Sequence, residues 1–240
     1  MSNDVDAKDR ILRASTKLFS EKGYDATSVT EIAQSADVTK ALIYYYFKVK
    51  ADILDALVQE LHHRMKSITL DFVHANIVKM IEAGRLDITP DRLCFTNEDD
   101  ISFFLKNGYR YFEEVLDFTL ENRTTIRILM FESLKNSKNR NELFHFMSLT
   151  AEDDENPIIK TISQADKDFD YSSDLAMFEF FYAIFPLVNF AVYYDDYKMT
   201  TGQSDEELRA SFLQTFKIMS SSLISGKDIY LRIKPLETEI

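Results

Sequence analysis

Residues 27–50 read TSVTEIAQSADVTKALIYYYFKVK, and the rest of the chain is interpreted outward from them. Ser28-Val29-Thr30-Glu31 has the capping-box pattern, in which a serine hydroxyl and a glutamate carboxylate each satisfy an amide left free at a helix start. It predicts a helix from Val29 to about Ser35 that buries Val29, Ile32, Ala33 and Ala36, with alanines small enough to admit a neighbouring helix. Ala36-Asp37-Val38 reads as a turn, and Thr39 caps a second helix running to about Phe47. Ile43 and Phe47, four residues apart, share the core-facing side. Successive helical residues point about 100° apart, so Tyr44, Tyr45 and Tyr46 cannot all turn inward. Some of those hydroxyls must meet a wet, polar partner, and the partner expected is DNA.

A helix-turn-helix lays its second helix in the major groove with residues near the helix start at base edges. Thr39, Lys40 and Tyr44 are the outward polar residues in that position, and Leu42 is placed to touch a thymine methyl. Tyr45 and Tyr46 suit phosphate contacts made by hydroxyls whose rings pack on the protein, although Tyr46 reads equally well as core. Lys48 and Lys50 open the next helix, where free amides also favour phosphate.

Charge is distributed to match. The 240 residues carry a net charge of −12, but residues 1–66 hold ten basic and ten acidic side chains. The whole excess falls in residues 67–240, with 18 basic and 30 acidic. Residues 38–50 hold three lysines and no acid, and screening over about 8 Å makes local charge the relevant quantity. The single cysteine, Cys94, excludes an internal disulfide framework and fits a reducing cytoplasm; it reads as an inert thiol, with redox sensing left open. No apolar N-terminal segment has the form of a signal peptide.

Helical spacing dominates elsewhere, and only five glycines and four prolines interrupt it. A first helix is expected over 7–22, ended by Gly23. Lys50 to about Ile68 is expected as a longer helix with Ile53, Leu57 and Leu61 buried. Gly84 to Asp100 reads as a loop. Helices follow at about 100–121, 124–136, 139–149 and 158–166, then a long one at 172–198. The last strong helix, 204–225, opens on a second capping box, Ser204-Asp205-Glu206-Glu207. The tail after Gly226 reads as irregular.

The N-terminal segment resembles the tetracycline-repressor (TetR) family of transcriptional regulators. Ile32-Ala33 followed by Ala36 through Lys50 follow that family's pattern, as do Ile11-Leu12, Ala14, Leu18-Phe19, Gly23-Tyr24 and Thr27-Ser28 upstream. Thr27 and Ser28 thereby join the candidate DNA contacts. The match covers about residues 7–61. It departs at Asp37, which replaces the usual turn glycine, at Ala41 and Leu42, and at Tyr45, which replaces a common histidine. The resemblance implies an all-α chain: a three-helix DNA-binding domain over 1–50, then a larger helical ligand-binding and dimerisation domain over 51–240. It further implies repression from a palindromic operator as a homodimer, and release by a small-molecule effector.

The larger domain offers its own support. Residues 180–194, FFYAIFPLVNFAVYY, hold no charge, yet Glu179, Asp195 and Asp196 bound the run too tightly for a membrane span of about 20 residues. Such a helix is expected to be buried all round, and the 204–225 helix has a stripe of Leu208, Phe212, Thr215, Met219 and Leu223. The two are expected to form the dimer contact. Phe104, Tyr109, Phe112, Phe131, Phe178, Phe181, Tyr182 and Phe185 are candidate walls of an effector pocket suited to an apolar or aromatic ligand. An enzyme is not expected. There is no glycine-rich phosphate loop, no zinc spacing and no other sign of a metal site or cofactor, and His62-His63 point to different helix faces. The competing interpretation is a helical protein-interaction module without a DNA role.

Overall fold

The computed structural model describes residues 2–89, 92–135, 156–169, 177, 179–225 and 231–233. The apolar spacing of Ala7, Ile11, Ala14 and Leu18 produces helix α1 (Ser2–Lys22), with Ala7, Ile11, Ala14 and Phe19 buried. Gly23 ends it at a φ of 88°, the left-handed conformation that a side chain resists. Helices α2 (Val29–Ser35) and α3 (Lys40–Tyr46) follow. Ile32, Ala33, Ala36, Ile43 and Phe47 form their joint core. Helix α4 (Lys50–Phe72) runs past the expected end and buries Ile53, Leu54, Leu57, Val58, Leu61 and Met65. A π-helical stretch (Val73–Val78) and a short helix α5 (Lys79–Glu82) continue it.

The chain gathers into two compact units. One combines Met1–Arg64 with the segment beginning at Thr119; the other combines Met65–Phe118 with the segment beginning at Met147. In the first, helix α7 (Arg123–Leu134) packs along α1 and buries Thr125, Ile126, Ile128, Leu129 and Glu132.

In the second unit, the segment from Gly84 to Asp100, expected as a loop, contains two strands. Strands β1 (Leu86–Thr89) and β2 (Arg92–Phe95) pair antiparallel, with Leu86 opposite Phe95 and Ile88 opposite Leu93. Strand β3 (Leu231–Ile233), in the tail expected to be irregular, pairs parallel to β2. The strands are short, and their stability comes from packing: Leu86, Ile88 and Phe95 share a core with Val73, Met80, Ile158 and Ile162. Helix α8 (Pro157–Ala165) supplies the last two of these, capped by Asn156. Asp166, just past α8, accepts a hydrogen bond from the Ile88 amide at 3.2 Å.

Helix α6 (Glu98–Glu121) opens on Glu98, Asp99 and Asp100, acids that suit the positive end of a helix. Asp100 is buried and receives Arg85 Nε at 2.6 Å and Asn97 Nδ2 at 3.0 Å. A second π-helical stretch (Glu179–Ile184) leads into α9 (Phe185–Thr201), and Gly202 at φ 69° separates it from α10 (Asp205–Ser225). The second capping box forms: Ser204 N donates to Glu207 Oε2 at 2.8 Å, and Glu207 N to Ser204 Oγ at 3.2 Å. Helix α10 is fastened to α6 by a two-pronged ion pair, Arg209 to both oxygens of Asp117 at 2.6 and 2.8 Å. Phe112 of α6 also stacks with Phe212 and Phe216 of α10.

The chain is therefore mostly helical, as read, with a small sheet added. The predicted helix at 139–149 lies outside the described residues, as does the expected start of the 172–198 helix. Among the described residues no helix is long and apolar enough to cross a membrane. Nor is the 180–194 run buried all round within one chain. Leu187, Val188, Ala191 and Val192 are buried, while Phe181, Tyr182 and Tyr193 are exposed, as are Tyr197 and Met199 just beyond the run. Its uncharged composition lets it face the core on one side and leaves a largely apolar surface on the other.

Candidate nucleic-acid interface

Three local devices set the helix-turn-helix. The first is the capping box: Ser28 N donates to Glu31 Oε2 at 2.8 Å, and Glu31 N donates to Ser28 Oγ at 3.3 Å. The second is the turn. Asp37 takes a φ of 52°, a conformation that Asp tolerates better than most residues, and Val38 N donates to Ala33 O at 3.0 Å. Arg10 of α1 reaches the turn, its Nη1 donating to the Asp37 carbonyl at 3.5 Å. The third is Thr39, whose Oγ accepts the Leu42 amide at 3.2 Å and leaves its own proton to donate outward.

Helix α3 is thus anchored by Ile43, 1% exposed, and by Phe47, 4% exposed. Its other side carries Lys40, Ala41, Tyr44 and Tyr45 into solvent, with Leu42 half-buried. Tyr44 is 52% and Tyr45 74% exposed, values that a core helix of seven residues does not need. Tyr46, open between core and phosphate in the sequence, is half-buried, its ring edge-on to Tyr45 at 5.1 Å and tilted against Phe47 at 6.3 Å. Lys48 is exposed, and Ser28 is exposed beside the α2 cap.

Two of the candidates are turned inward. Thr27 is buried, and its hydroxyl donates to Gly23 O at 2.8 Å and approaches Leu18 O at 3.3 Å. Lys50 donates to Tyr24 O at 2.7 Å and Thr27 O at 2.9 Å, with its ammonium 4.2 Å from the centre of the Tyr24 ring. Both residues serve the Gly23–Thr27 link that leads into α2. The outward face therefore comprises Ser28, Thr39, Lys40, Tyr44, Tyr45 and Lys48.

Glu31 shows how firmly the cap is charged. Hydrogen bonds from Lys22 first, then from the Ser28 amide and hydroxyl, hold its carboxyl down at about 2 against an ordinary 4.5. A depressed carboxyl contributes stability that is fully present above its unfolded value and disappears as pH falls through its folded one. The cap should therefore stay intact through pH 4.5 and come apart only toward pH 2. A carbon-detected NMR titration of the Glu31 carboxyl, read beside the Glu31 amide shift, checks this; a midpoint near 4.5 would mean that the cap does not hold Glu31.

The described aromatic candidates for an effector pocket fall in several packing clusters. Phe104 packs with Phe72 and Phe95 near the sheet, and Phe112 lies in the stack with α10. Tyr109 has Lys217 Nζ at 5.7 Å from its ring centre, and Phe185 packs with Phe180 and Phe181. Phe181 and Tyr182 are exposed. Phe131 belongs to the first unit, where it lines a cleft of about 270 Å³ with Phe19, Tyr24, Arg127 and Lys135. Phe178 lies outside the described residues.

Comparison with known proteins agrees with this geometry. Residues 11–57 match the model of bacterial regulatory proteins of the tetR family. The HTH-type transcriptional regulator YttP of Bacillus subtilis is 35% identical over 130 residues, 53% of this chain and 60% of that protein. IcaR of Staphylococcus aureus, an HTH-type negative transcriptional regulator of the biofilm operon icaADBC, is 44% identical over 86 residues, 36% of this chain and 41% of IcaR. The match thus spans less than two thirds of either relative's length. Two solved structures share the fold at low identity. A Clostridium perfringens protein described as a fatty acid metabolism regulator aligns with a TM-score of 0.53 at 16% identity, over 86% of this chain and 96% of that one. A Mesorhizobium loti protein described as a TetR-family transcriptional regulator aligns at 0.51 and 14%, over 91% and 97%. Capped helices, a tight turn and an outward face of lysine and tyrosine thus occupy the very residues, within 11–57, that match the model of the tetR family of bacterial regulatory proteins.

Proposed function

We propose that this chain is a DNA-binding transcriptional repressor that holds a roughly palindromic operator as a homodimer and is released by a small apolar or aromatic effector. The observation that carries it is the exposed face of α3, where Lys40, Tyr44 and Tyr45 project from a helix fixed by Ile43, Phe47 and the Thr39 cap. Helix N-termini, lysines and tyrosine hydroxyls are phosphate and base-edge ligands, and here they converge on one side. The likeness to IcaR, a negative regulator, favours repression.

Dimerisation is proposed through α9 and α10. Tyr193, Tyr197 and Met199 of α9 and Ile218 of α10 are more than half exposed in the single chain. The groove between these helices, about 330 Å³, is lined by Phe190, Tyr193, Tyr197, Leu208 and Phe212 among others. A second copy of the same surface covers it, burying on the order of 2,000 Å² in total. Two-fold symmetry then presents two α3 helices to major grooves about 34 Å apart. The effector acts only through a difference in affinity between the DNA-bound and released states. The aromatic-rich composition of the second unit is what favours an apolar or aromatic ligand.

The deciding experiment is selection of bound fragments from random duplex DNA by the purified full chain. Enrichment of one palindrome supports both DNA reading and symmetry. Enrichment of nothing, at low salt as well as at physiological salt, removes the DNA role and returns the chain to the interaction-module interpretation.

A further inference from the structure

We propose that Lys135, more than seventy residues beyond the end of the family match, is a positioning residue for DNA binding: it holds the Gly23–Thr27 link in place through Asp25. The proposal rests on the DNA-binding function argued above.

The Thr27 hydroxyl anchors the end of the link on Gly23 O and Leu18 O, while its middle stands in solvent. Gly23 is in the left-handed conformation, Asp25 and Ala26 are exposed, and Thr27 N donates to Tyr24 O at a modest 3.2 Å. It nonetheless feeds directly into Ser28, the cap of α2, so its position sets the entry of the helix-turn-helix. Two lysines from outside α2 and α3 grip it. Lys50 satisfies the carbonyls of Tyr24 and Thr27. Lys135, the residue after α7, donates to Asp25 Oδ2 at 2.8 Å and to Glu132 Oε1 at 2.6 Å.

The second of those bonds is what makes the first useful. An ion pair between two free surface side chains contributes little, because ordering both offsets the attraction. Here Glu132 has a side chain only 4% exposed and lies in the last turn of α7, whose packed face includes Ile128 and Leu129. It pre-orders Lys135, which then reaches the exposed Asp25 at small further cost. The protonation preferences agree with this geometry: Lys135 holds the Asp25 carboxyl below its usual range, and the two acids hold the Lys135 ammonium above its own.

A sign test separates positioning from simple charge. Asp25 is an acid three residues before the exposed Ser28 of the DNA-contact face, so removing its charge should tighten DNA binding if repulsion were its only effect. Positioning predicts the reverse. Asp25→Asn, which leaves Lys135 and Glu132 paired, is expected to weaken affinity for the selected operator by about three- to fivefold. Lys135→Met should cause a similar loss, the double variant should be no worse than the poorer single variant, and Lys135→Arg should bind within about twofold of the original. The slope of log affinity against log salt should not change in Asp25→Asn or Lys135→Met, because no phosphate contact is lost.

Hydrogen exchange of the Thr27 amide in the DNA-free protein gives a readout independent of the operator, and it should accelerate in Asp25→Asn. Unchanged exchange, equal or tighter operator binding by Asp25→Asn, or a salt slope smaller by about one in Lys135→Met would each overturn the proposal. Faster exchange in a protein that selects no DNA would instead leave the grip on the link standing and defeat the DNA reading.

Discussion

Replacing Lys40 and Tyr44 together with alanine should weaken binding to the selected operator by about 100-fold or more, with no change in melting temperature. Well-formed contacts to base edges discriminate by about 1–3 kcal/mol each, so losing two of intermediate strength, about 4 kcal/mol together, removes two orders of magnitude or more. Both side chains point into solvent and neither belongs to the Ile43–Phe47 anchor, so the folded state should not notice their loss. Fluorescence anisotropy on a labelled operator measures the loss, and thermal melting measures the control. The two together matter: weaker binding with a lowered melting temperature would point to damage rather than to a reading face. Binding at the original affinity would mean that α3 does not present its outward side to DNA.

The second large effect is expected on assembly. Tyr193→Arg combined with Tyr197→Arg places two cations four residues apart on the solvent side of α9, one helical turn from each other. Both rings are more than half exposed in the single chain, so the variant should fold with the same helical content. In a dimer the same positions would lie within an apolar contact, where an unpaired charge is strongly unfavourable. Sedimentation equilibrium should give the mass of one chain. Operator affinity should then fall by about 10²–10⁴-fold, because the second half-site is no longer held at high effective concentration by the first. A dimeric variant would place the interface elsewhere, and a monomeric variant with full affinity would separate DNA binding from symmetry.

The helix-turn-helix was legible because its determinants are local. Ser28 and Glu31 are three residues apart, as are Thr39 and the Leu42 amide it caps, and the Ile43–Phe47 spacing reports a buried face. The Ser204–Glu207 cap was legible for the same reason. The sheet was not. Gly84, Pro90 and Asn97 punctuate the segment, each strand has only three or four residues, and β3 comes from the far end of the chain. Nothing in the alternation of four residues announces a partner so distant. Lys50 and Thr27 show the same limit within the site. In sequence they stand where phosphate ligands stand, but the carbonyls of Tyr24 and Thr27 claim Lys50, and those of Gly23 and Leu18 claim the Thr27 hydroxyl. Lys135 could not be connected to Asp25 from spacing, because the contact depends on how α7 lies along α1. The aromatic candidates were selected by composition, which does not separate a ring in a core stack, such as Phe112, from a ring on the surface, such as Tyr182.

Asp166 gives the small sheet one further property. A strand at a sheet margin offers amides to any extended chain that drifts past, and uncontrolled growth along such a margin is a common route to aggregation. On β1 the Ile88 amide is already taken by the Asp166 carboxylate, which also accepts the Asp168 amide at 3.1 Å and so is itself fixed in place. A carboxylate offers no strand for a newcomer to extend. Substituting Asp166 would therefore matter less to the folded chain than to its behaviour at high concentration, where an open strand margin invites further strands.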